Sequence, residues 1–445
     1  MGMLANKRRT LNPFQTIVLG FAGVVLVGAI ILMLPISSAS GKVTPFIDAL
    51  FTSTTSVCVT GLIVYDTGTH WSFFGQVIIL ILIQIGGLGV ITVASSLVVL
   101  AGGKIGLMQR STMQEAVAAP KMGGIVRLSE FVIKTTFIVE FIGAAAMAPV
   151  FCTDFGFWQG IWMSVFHSVS AFCNAGIDLM GVRGEYSSLM TYVGNPLINI
   201  IAMLLIIIGG IGFLTWEDIY KNRHHVKRYR MQSKVILTTT ALLILIPAIY
   251  FYFCEFNGVP QGERILSSFF MSVTPRTAGF NTVDVTLMSG VGQAILIALM
   301  IIGGSPGSTA GGIKTTTFAV LIANTFSVFR KKEDVQLFKR RLDNAVVRSA
   351  STILVLYISL FFLSALVISR VEDLPFGVCL FETASAIGTV GLSLGITPGL
   401  CAVSKLIIIL LMFFGRVGGL TLIYAALSGT KQNLSKLPQE KIMIG

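Results

Sequence analysis

Charged residues are scarce in this chain, and acidic residues are the scarcer kind. Only 12% of the 445 residues are Asp, Glu, Lys or Arg, with 20 acidic against 32 basic side chains. Hydrophobic residues make up 54% of the chain. A chain with so little charge and so many apolar residues cannot fold as an ordinary soluble protein, so the composition predicts a membrane protein.

Cysteine and histidine are also few, with six and four copies. Six cysteines spread over this length do not make a disulfide framework. The Cys and His residues do not gather into a metal cluster, and the polar segments contain no arrangement of a nucleophile beside a base. We therefore expect no enzymatic activity and no covalent cofactor.

Eight apolar runs are long enough to cross a bilayer, which takes about 20 helical residues. They are residues 14–34, 73–100, 131–151, 197–219, 235–254, 291–322, 351–368 and 405–427. Basic residues gather before the first run, in every second loop after it, and in the tail. By the positive-inside rule these segments and both termini are cytoplasmic, which predicts a multi-pass protein of the plasma membrane.

The net charge of +12 thus has a topological explanation. A nucleic-acid partner would need one basic face on a soluble domain, so we expect none. Anionic membrane lipid or an acidic protein remains as a partner for the basic loops.

A glycine motif recurs four times, each time between a short apolar segment and a long one. Its glycines are 115, 103 and 112 residues apart, at Gly61, Gly176, Gly279 and Gly391. The short segments 45–56, 159–171, 263–274 and 374–385 are too short to span a bilayer. Each long run that follows is interrupted by a glycine cluster. Internal repetition of this kind predicts four copies of span, re-entrant pore helix, filter strand and broken span.

The predicted fold is an all-α polytopic membrane protein with eight transmembrane helices and four re-entrant pore helices. Four pseudo-symmetric helix–pore-loop–helix repeats would surround a central pore. We place the repeats at residues 1–105, 106–225, 226–330 and 331–427, followed by a cytoplasmic tail at 428–445.

The residues around each glycine read like a potassium-channel filter, in which backbone carbonyls replace the water around the ion. Aiming successive carbonyls at one axis requires positive φ, which glycine adopts readily. Any single glycine of this kind is more simply a packing residue, but four in register with four spans are not. The predicted ion-binding residues are Val59, Thr60, Gly61, Leu62, Asn174, Ala175, Gly176, Ile177, Thr277, Ala278, Gly279, Phe280, Thr389, Val390, Gly391 and Leu392.

The second span of the third repeat is interrupted by a polar, glycine-rich loop, which cannot continue a helix. It starts 24 residues after Gly279, so we expect it within the membrane, just below the filter. A phosphate-binding loop is not expected, because Ile313 stands where that motif requires lysine. A flexible loop in an ion path is a candidate gate, here formed by Gly303, Gly304, Ser305, Pro306, Gly307, Ser308, Thr309, Ala310, Gly311, Gly312 and Lys314.

Arg416 lies inside the eighth span, where a permanent charge is costly. Either it forms an electrostatic barrier and holds the 303–314 loop by its carbonyls, or it pairs with an acid on another helix. We favour the first and include Arg416 in the gate. Glu140 is expected to pair inside the protein, while Gln84 either faces the pore or bonds to a neighbouring helix. His167 is expected to be a packing residue.

This combination of motifs resembles the Ktr/Trk/HKT superfamily of cation-translocating proteins, and within it the Ktr-type potassium uptake subunits. The resemblance covers essentially the whole chain. It implies potassium ions at the filter carbonyls, sodium-dependent uptake, and a homodimer with one pore per subunit. It also implies control by a cytoplasmic ring of nucleotide-binding (ATP/ADP) subunits of the KtrA type. No cytoplasmic loop is long enough for a nucleotide-binding domain, so that control would require a separate protein.

The filter departs from that of a tetrameric channel in two ways. Only one strand contains Thr-Val-Gly, and Ser393 stands where such a channel has a second glycine. We therefore expect potassium preference with appreciable passage of sodium. The favoured function is a passive, gated potassium pore. The alternative is a secondary active cation transporter, coupled to protons or sodium, because broken helices also mark alternating-access folds.

Overall fold

A computed structural model of the protein describes residues 12–90, 92–95, 106–117 and 123–426. Within these residues the regular structure is helical, apart from a hairpin of two short strands, β1 (Gln336–Leu337) and β2 (Arg340–Arg341). The predicted tail 428–445 and the end of the predicted span 73–100 lie outside the described residues.

The helices occur in the predicted order of span, pore helix and second span. The first half of the chain contains α1 (Pro13–Met33), pore helix α2 (Phe46–Val57), α3 (Thr67–His70), α4 (Phe73–Leu88), α5 (Leu107–Val117), α6 (Ile125–Phe155), pore helix α7 (Phe157–Cys173), α8 (Pro196–Gly210) and α9 (Phe213–Asn222). The second half contains α10 (Met231–Tyr250), pore helix α11 (Gln261–Val273), α12 (Gly290–Ile301), α13 (Thr315–Phe329), α14 (Asn344–Glu372), pore helix α15 (Phe376–Gly388), α16 (Ala402–Val417) and α17 (Gly419–Ala426).

Polar caps and prolines set where these helices begin. Asn12 forms a capping box with Gln15 at the start of α1, where Pro13 takes the first helical position. Pro45, Pro260 and Pro375 immediately precede three of the pore helices. Proline has its φ already fixed and has no N–H to satisfy, so it starts a helix at little cost.

Four helices of the described residues, α1, α6, α14 and α10 with its extension to Glu255, are long and apolar enough to cross a membrane. The number is six if each bent pair is one span. The α8–α9 pair bends by 99° and the α16–α17 pair by 94°. These bends occur at Gly212 and Gly418, whose φ values are +90° and +92°. The remaining predicted second spans begin with α4 and with α12, which is separated from α13 by the 303–314 loop.

The repeats pack in a circle. Each second span contacts the pore helix of the following repeat: α4 contacts α7, α8 contacts α11, α12 contacts α15, and α16 contacts α2. The last contact joins the two ends of the chain, and an ion pair lies in it. Lys405 Nζ is 2.7 Å from Asp48 Oδ1, with both side chains about nine-tenths buried. Four pore helices are thereby brought around one axis.

Candidate ion filter and gate

The four motif glycines form a closed ring. A Cβ built on any of them would lie under 3.0 Å from a carbonyl oxygen of the next strand, in the cyclic order Gly61 to Ala175, Gly176 to Ala278, Gly279 to Val390 and Gly391 to Thr60. Real Cβ atoms do not approach that closely, so no side chain fits at these positions. The four strands that the sequence analysis singled out therefore meet at one place.

The strand backbones share an unusual conformation. In each strand the glycine and the residue two positions before it have positive φ, and the residue between them does not: Val59 (56°) and Gly61 (94°), Asn174 (60°) and Gly176 (63°), Thr277 (74°) and Gly279 (82°), Thr389 (51°) and Gly391 (98°). Alternation of handedness turns successive carbonyls to one side of the strand. For a residue other than glycine this conformation costs roughly 1–2 kcal/mol, which the surrounding contacts must offset.

A hydroxyl residue at the end of each pore helix fixes the strand beside it. Thr55 accepts the Thr60 N–H with its carbonyl at 2.8 Å and the Gly61 N–H with its hydroxyl at 3.0 Å. Ser385 does the same for Val390 and Gly391, at 2.9 and 3.0 Å. With these N–H groups bound to the pore helix, the strand carbonyls are left for the axis.

Ser170 and Thr274 hold the other two strands differently. Their carbonyls again accept strand N–H groups, but their hydroxyls donate to the carbonyls of Ile177 and Phe280. Sequence reasoning missed all four hydroxyl residues. The signal was a Ser or Thr six positions before the glycine in three repeats and five positions before it in the third.

The pore helices also aim their ends at the ring. Each of them ends one to four positions before the first strand residue, with its C-terminus toward the glycines. The C-terminal end of a helix carries a partial negative charge, which favours a cation. Next to these ends, Gly86, Gly209 and Gly415 of the second spans leave no room for a Cβ against the last carbonyls of α2, α7 and α15. The glycine clusters therefore serve close packing as well as the bends.

The 303–314 loop packs directly against the filter strands. A Cβ on Gly311 would meet the Thr389 side chain, and Gly312 lies beside the Gly388 carbonyl. The Thr309 hydroxyl donates to the carbonyl of Phe172, at 3.2 Å. Ser305 and Thr309 are fully buried. The loop thus fills the space next to the strands of repeats two and four.

The bend between α8 and α9 satisfies much of the loop backbone. The Ser305 N–H donates to the Gly210 carbonyl at 3.0 Å, and the Phe213 N–H donates to the Gly307 carbonyl at 2.7 Å. Lys314 Nζ donates to the Ala310 carbonyl at 2.8 Å, within the loop itself. Non-helical backbone at membrane depth needs partners of this kind.

Arg416, at the end of α16, bridges the loop and the first repeat. Its Nη1 donates to the Thr309 carbonyl, and its Nη2 donates to the carbonyls of Gly86 and Gly87. Among the described residues no carboxylate lies within ion-pair distance of this guanidinium. Its partners are therefore backbone carbonyls, the kind of partner that the gate hypothesis expects. The role of Arg416 in gating stays a prediction.

Glu140 and His167 have hydrogen-bond partners on the surrounding helices. Glu140 is 4% exposed and accepts a hydrogen bond from Gln84 Nε2 at 3.2 Å, which joins α6 to α4. His167 is packed among aromatic rings, with Nδ1 2.7 Å from the Met163 carbonyl. These contacts are those of packing and interhelical bonding.

Fold and site together define a class: helical membrane proteins in which four helix–loop–helix repeats surround a ring of four glycines. A family profile described as TrkH, cation transport protein, matches residues 5–436. The chain belongs to this family, which confirms the family predicted from its motifs.

Individual relatives match along almost their whole length. The chain is 42% identical over 451 residues to the potassium/sodium uptake protein NtpJ of Enterococcus hirae, with 98% of each chain covered. It is 37% identical over 440 residues to the Ktr system potassium uptake protein B of Bacillus subtilis, with 98% of this chain and 97% of the relative covered. Its fold is similar to the crystal structure of the potassium transporter TrkH from Vibrio parahaemolyticus, with a TM-score of 0.75 at 18% identity, covering 94% of this chain and 85% of the other.

Proposed function

We propose that this protein takes up potassium across the plasma membrane through a gated, channel-like pore. The observation that carries the proposal is the closed ring of four glycines, in which each strand alternates the sign of φ. Residues 59–62, 174–177, 277–280 and 389–392 supply the carbonyls that replace the hydration shell of the ion. The basic loops and both termini face the cytoplasm, in agreement with the positive-inside rule.

The filter prefers potassium but also admits sodium. Ser393 takes the place of a second filter glycine, and its hydroxyl donates to Glu382 on the pore helix at 2.8 Å. The strand after Gly391 is thereby held to α15, and we expect it not to extend the row of inward carbonyls. With fewer carbonyl sites in a row, the filter has fewer positions at which replacing water by carbonyl oxygens favours potassium over sodium. Its discrimination between the two ions is therefore moderate. The name of one relative, the potassium/sodium uptake protein NtpJ, includes both ions.

The gate consists of the 303–314 loop and Arg416. In the arrangement described here the loop lies against Thr389, and Arg416 adds a fixed positive charge next to it. Ion passage requires the loop to move and the bond from Arg416 to the Thr309 carbonyl to break. We assign control of this step to a separate nucleotide-binding subunit of the KtrA type, supported by the Ktr system name of a relative. We also propose a homodimer with one pore in each subunit, and a sodium-dependent rate.

The test is uptake of rubidium-86 into liposomes that contain the purified chain alone and are loaded with potassium. Through a passive pore, potassium leaves the vesicles and makes their interior negative, and this potential draws the tracer in without an imposed proton or sodium gradient. Uptake that appears only when such a gradient is imposed would instead support the alternating-access transporter.

The filter itself is tested by Gly391→Ser. A serine there is strained at a φ of +98° and places its Cβ against the Thr60 carbonyl and the Gly61 Cα. We expect a shift of preference from potassium towards sodium. Gly377→Ser is the matched control, because Gly377 has open space where the Cβ would go. Unchanged selectivity in Gly391→Ser, in a protein that folds and conducts, would overturn the proposed filter.

A further inference from the structure

A deep apolar groove opens between α10 and α13 on the outer surface of the helix bundle. Its cavity measures about 710 Å³, within the size range of ligand sites. Its walls include Leu242, Ile246, Pro247, Ala319, Ile322 and Phe326. Leu242, Ile246 and Phe326 are more than half exposed, so in a membrane this groove faces the hydrocarbon of the lipids.

One end of the groove is basic. Arg330 and Lys332 belong to its lining, and Phe338 at the hairpin tip lies both in the groove and in two adjoining clefts. The basic residues that line those clefts are Lys227, Arg228, Arg230, Lys234, Lys339, Arg340 and Arg341. Of these, Arg230 is paired with Glu217 and Asp218, at 3.0 and 3.4 Å. Apolar wall and basic rim therefore form one continuous surface.

Few acids neutralise this rim. In the described part of the chain, Lys234, Lys332 and Arg340 form no ion pair, and Lys234 Nζ donates to the Lys227 carbonyl at 2.8 Å. Arg341 does pair with Asp334, at 3.5 Å, but both side chains are largely exposed, where such pairs contribute little. The rim thus keeps a surplus of positive charge.

The hairpin has a backbone that its sequence does not favour. Phe338 and Lys339 form its two-residue turn with φ of +47° and +63°. Turns of this kind prefer Asn-Gly, and a bulky aromatic residue at positive φ is uncommon. Strain of this kind persists at sites where it positions a side chain, and here it places Phe338 against the groove and basic residues beside it.

We propose that this groove binds an anionic phospholipid, with an acyl chain between α10 and α13 and the phosphate at Lys234, Lys332 and Arg340. The groove wall reaches Ile246, which is 12 residues along α10 from Lys234 and so about 18 Å deeper in the membrane. A cytoplasmic protein cannot fill that depth, whereas an acyl chain can. Basic pockets between helices on the cytoplasmic side are suited to anionic headgroups. The inference rests on the topology given under Proposed function.

The site is connected to the gate by the chain itself. Helix α13 begins at Thr315, directly after the 303–314 loop, and the Ser327 hydroxyl at its other end donates to the Asp334 carbonyl at 2.8 Å. A lipid that fits one position of α13 better than another shifts the equilibrium of the loop by that difference in affinity.

Binding is measured by native mass spectrometry of the purified full-length chain, delipidated and titrated with phosphatidylglycerol or with phosphatidylcholine. The triple variant Lys234→Gln, Lys332→Gln, Arg340→Gln should bind phosphatidylglycerol roughly 100-fold more weakly, since each basic residue accounts for roughly a fivefold change. Ala323→Phe should block the groove and weaken binding comparably. The controls are Arg110→Gln with Arg348→Gln, and Ala145→Phe, which change residues of the same kinds outside the groove.

Lys234→Arg should retain binding, which separates loss of charge from loss of folding. Equal binding of the two lipids, or unchanged phosphatidylglycerol binding in both groove variants, would overturn the inference. Loss of binding in the charge variant alone, with Ala323→Phe unaffected, would also overturn it, because the headgroup would then not require the groove. Rubidium uptake by the same variants reconstituted in liposomes keeps the two proposals apart: lipid binding without uptake contradicts the pore, and uptake without lipid binding contradicts the lipid site.

Discussion

Replacing Ser385 with alanine removes the hydroxyl that accepts the Gly391 N–H at 3.0 Å. The Ser385 carbonyl still accepts the Val390 N–H at 2.9 Å, so the strand keeps one of its two bonds to the pore helix. Ser385 is fully buried, and water cannot replace the lost partner. An unsatisfied buried donor costs about 1–3 kcal/mol.

In the proposed filter, this cost falls on the ion-bound state. Without an ion the strand can relax until the Gly391 N–H finds another partner, but a bound potassium ion holds the carbonyls, and with them the strand, in place. Each 1.4 kcal/mol changes an equilibrium tenfold. The potassium concentration that gives half-maximal stabilisation should therefore rise by roughly fivefold to 150-fold.

The assay is the thermal unfolding midpoint of the purified protein, titrated with potassium chloride at constant ionic strength. Thr383→Val is the matched control, because the Thr383 hydroxyl on the same helix donates only to the carbonyls of Cys379 and Leu380, at 3.0 and 3.2 Å. Its half-stabilising potassium concentration should not change. An unchanged value in Ser385→Ala, or an equal rise in Thr383→Val, would refute the reasoning.

Two further predictions concern the gate and the outer loop. Arg416→Ala removes a fixed charge and its bonds to three carbonyls, so rubidium uptake should rise roughly tenfold or more. Arg416→Lys keeps the charge, so uptake by this variant should rise less. Uptake that is unchanged in both variants would contradict the proposed gate. Loss of hydration, with the Asp66 carboxylate nearby, raises the pKa of Asp178 to about 7. Because the folded pKa lies above the ordinary value, stability of the loop is full below about pH 4 and falls as the pH rises to about 7. Amide hydrogen exchange in residues 178–192, corrected for intrinsic rates, should show this fall in stability, and Asp178→Asn should abolish it. If the fall persists in the variant, Asp178 is not its cause.

The pore helices could be predicted closely from the sequence. The segments 45–56 and 374–385 correspond to Phe46–Val57 and Phe376–Gly388, since proline starts these helices and the motif glycine comes soon after their end. The break in the span 197–219 was also expected, but its bend of 99° was not. A straight and a bent helix have the same hydropathy, so the angle depends on what lies beside the bend, here the 303–314 loop.

Partners distant in the chain could not be predicted. Asp48 and Lys405 are 357 residues apart, and nothing in the sequence around either residue indicates that the other is its partner. In the sequence, Thr55 and Ser385 are ordinary helix residues, because their hydroxyls gain strand partners only when the strand folds back along the pore helix. The hairpin at 336–341 lacks the Asn or Gly that marks such turns, so it gave no local signal. Proline and glycine mark in the sequence where helices start and break, whereas contacts between repeats arise only from the circular packing of the folded chain.

The contact of α16 with α2 can form only after nearly the whole chain has been synthesised, which matters for assembly in the membrane. The first quarter of the chain enters the membrane early, with Asp48 already on its pore helix, yet Lys405 is translated 357 residues later. During that interval the Asp48 carboxylate has no cation from α16, and its protein partner is the neutral hydroxyl of Tyr65, which donates to Asp48 Oδ2 at 2.9 Å. A product cut short before the last helices therefore leaves the first pore helix without its neighbour α16 and the Asp48 carboxylate without its cation.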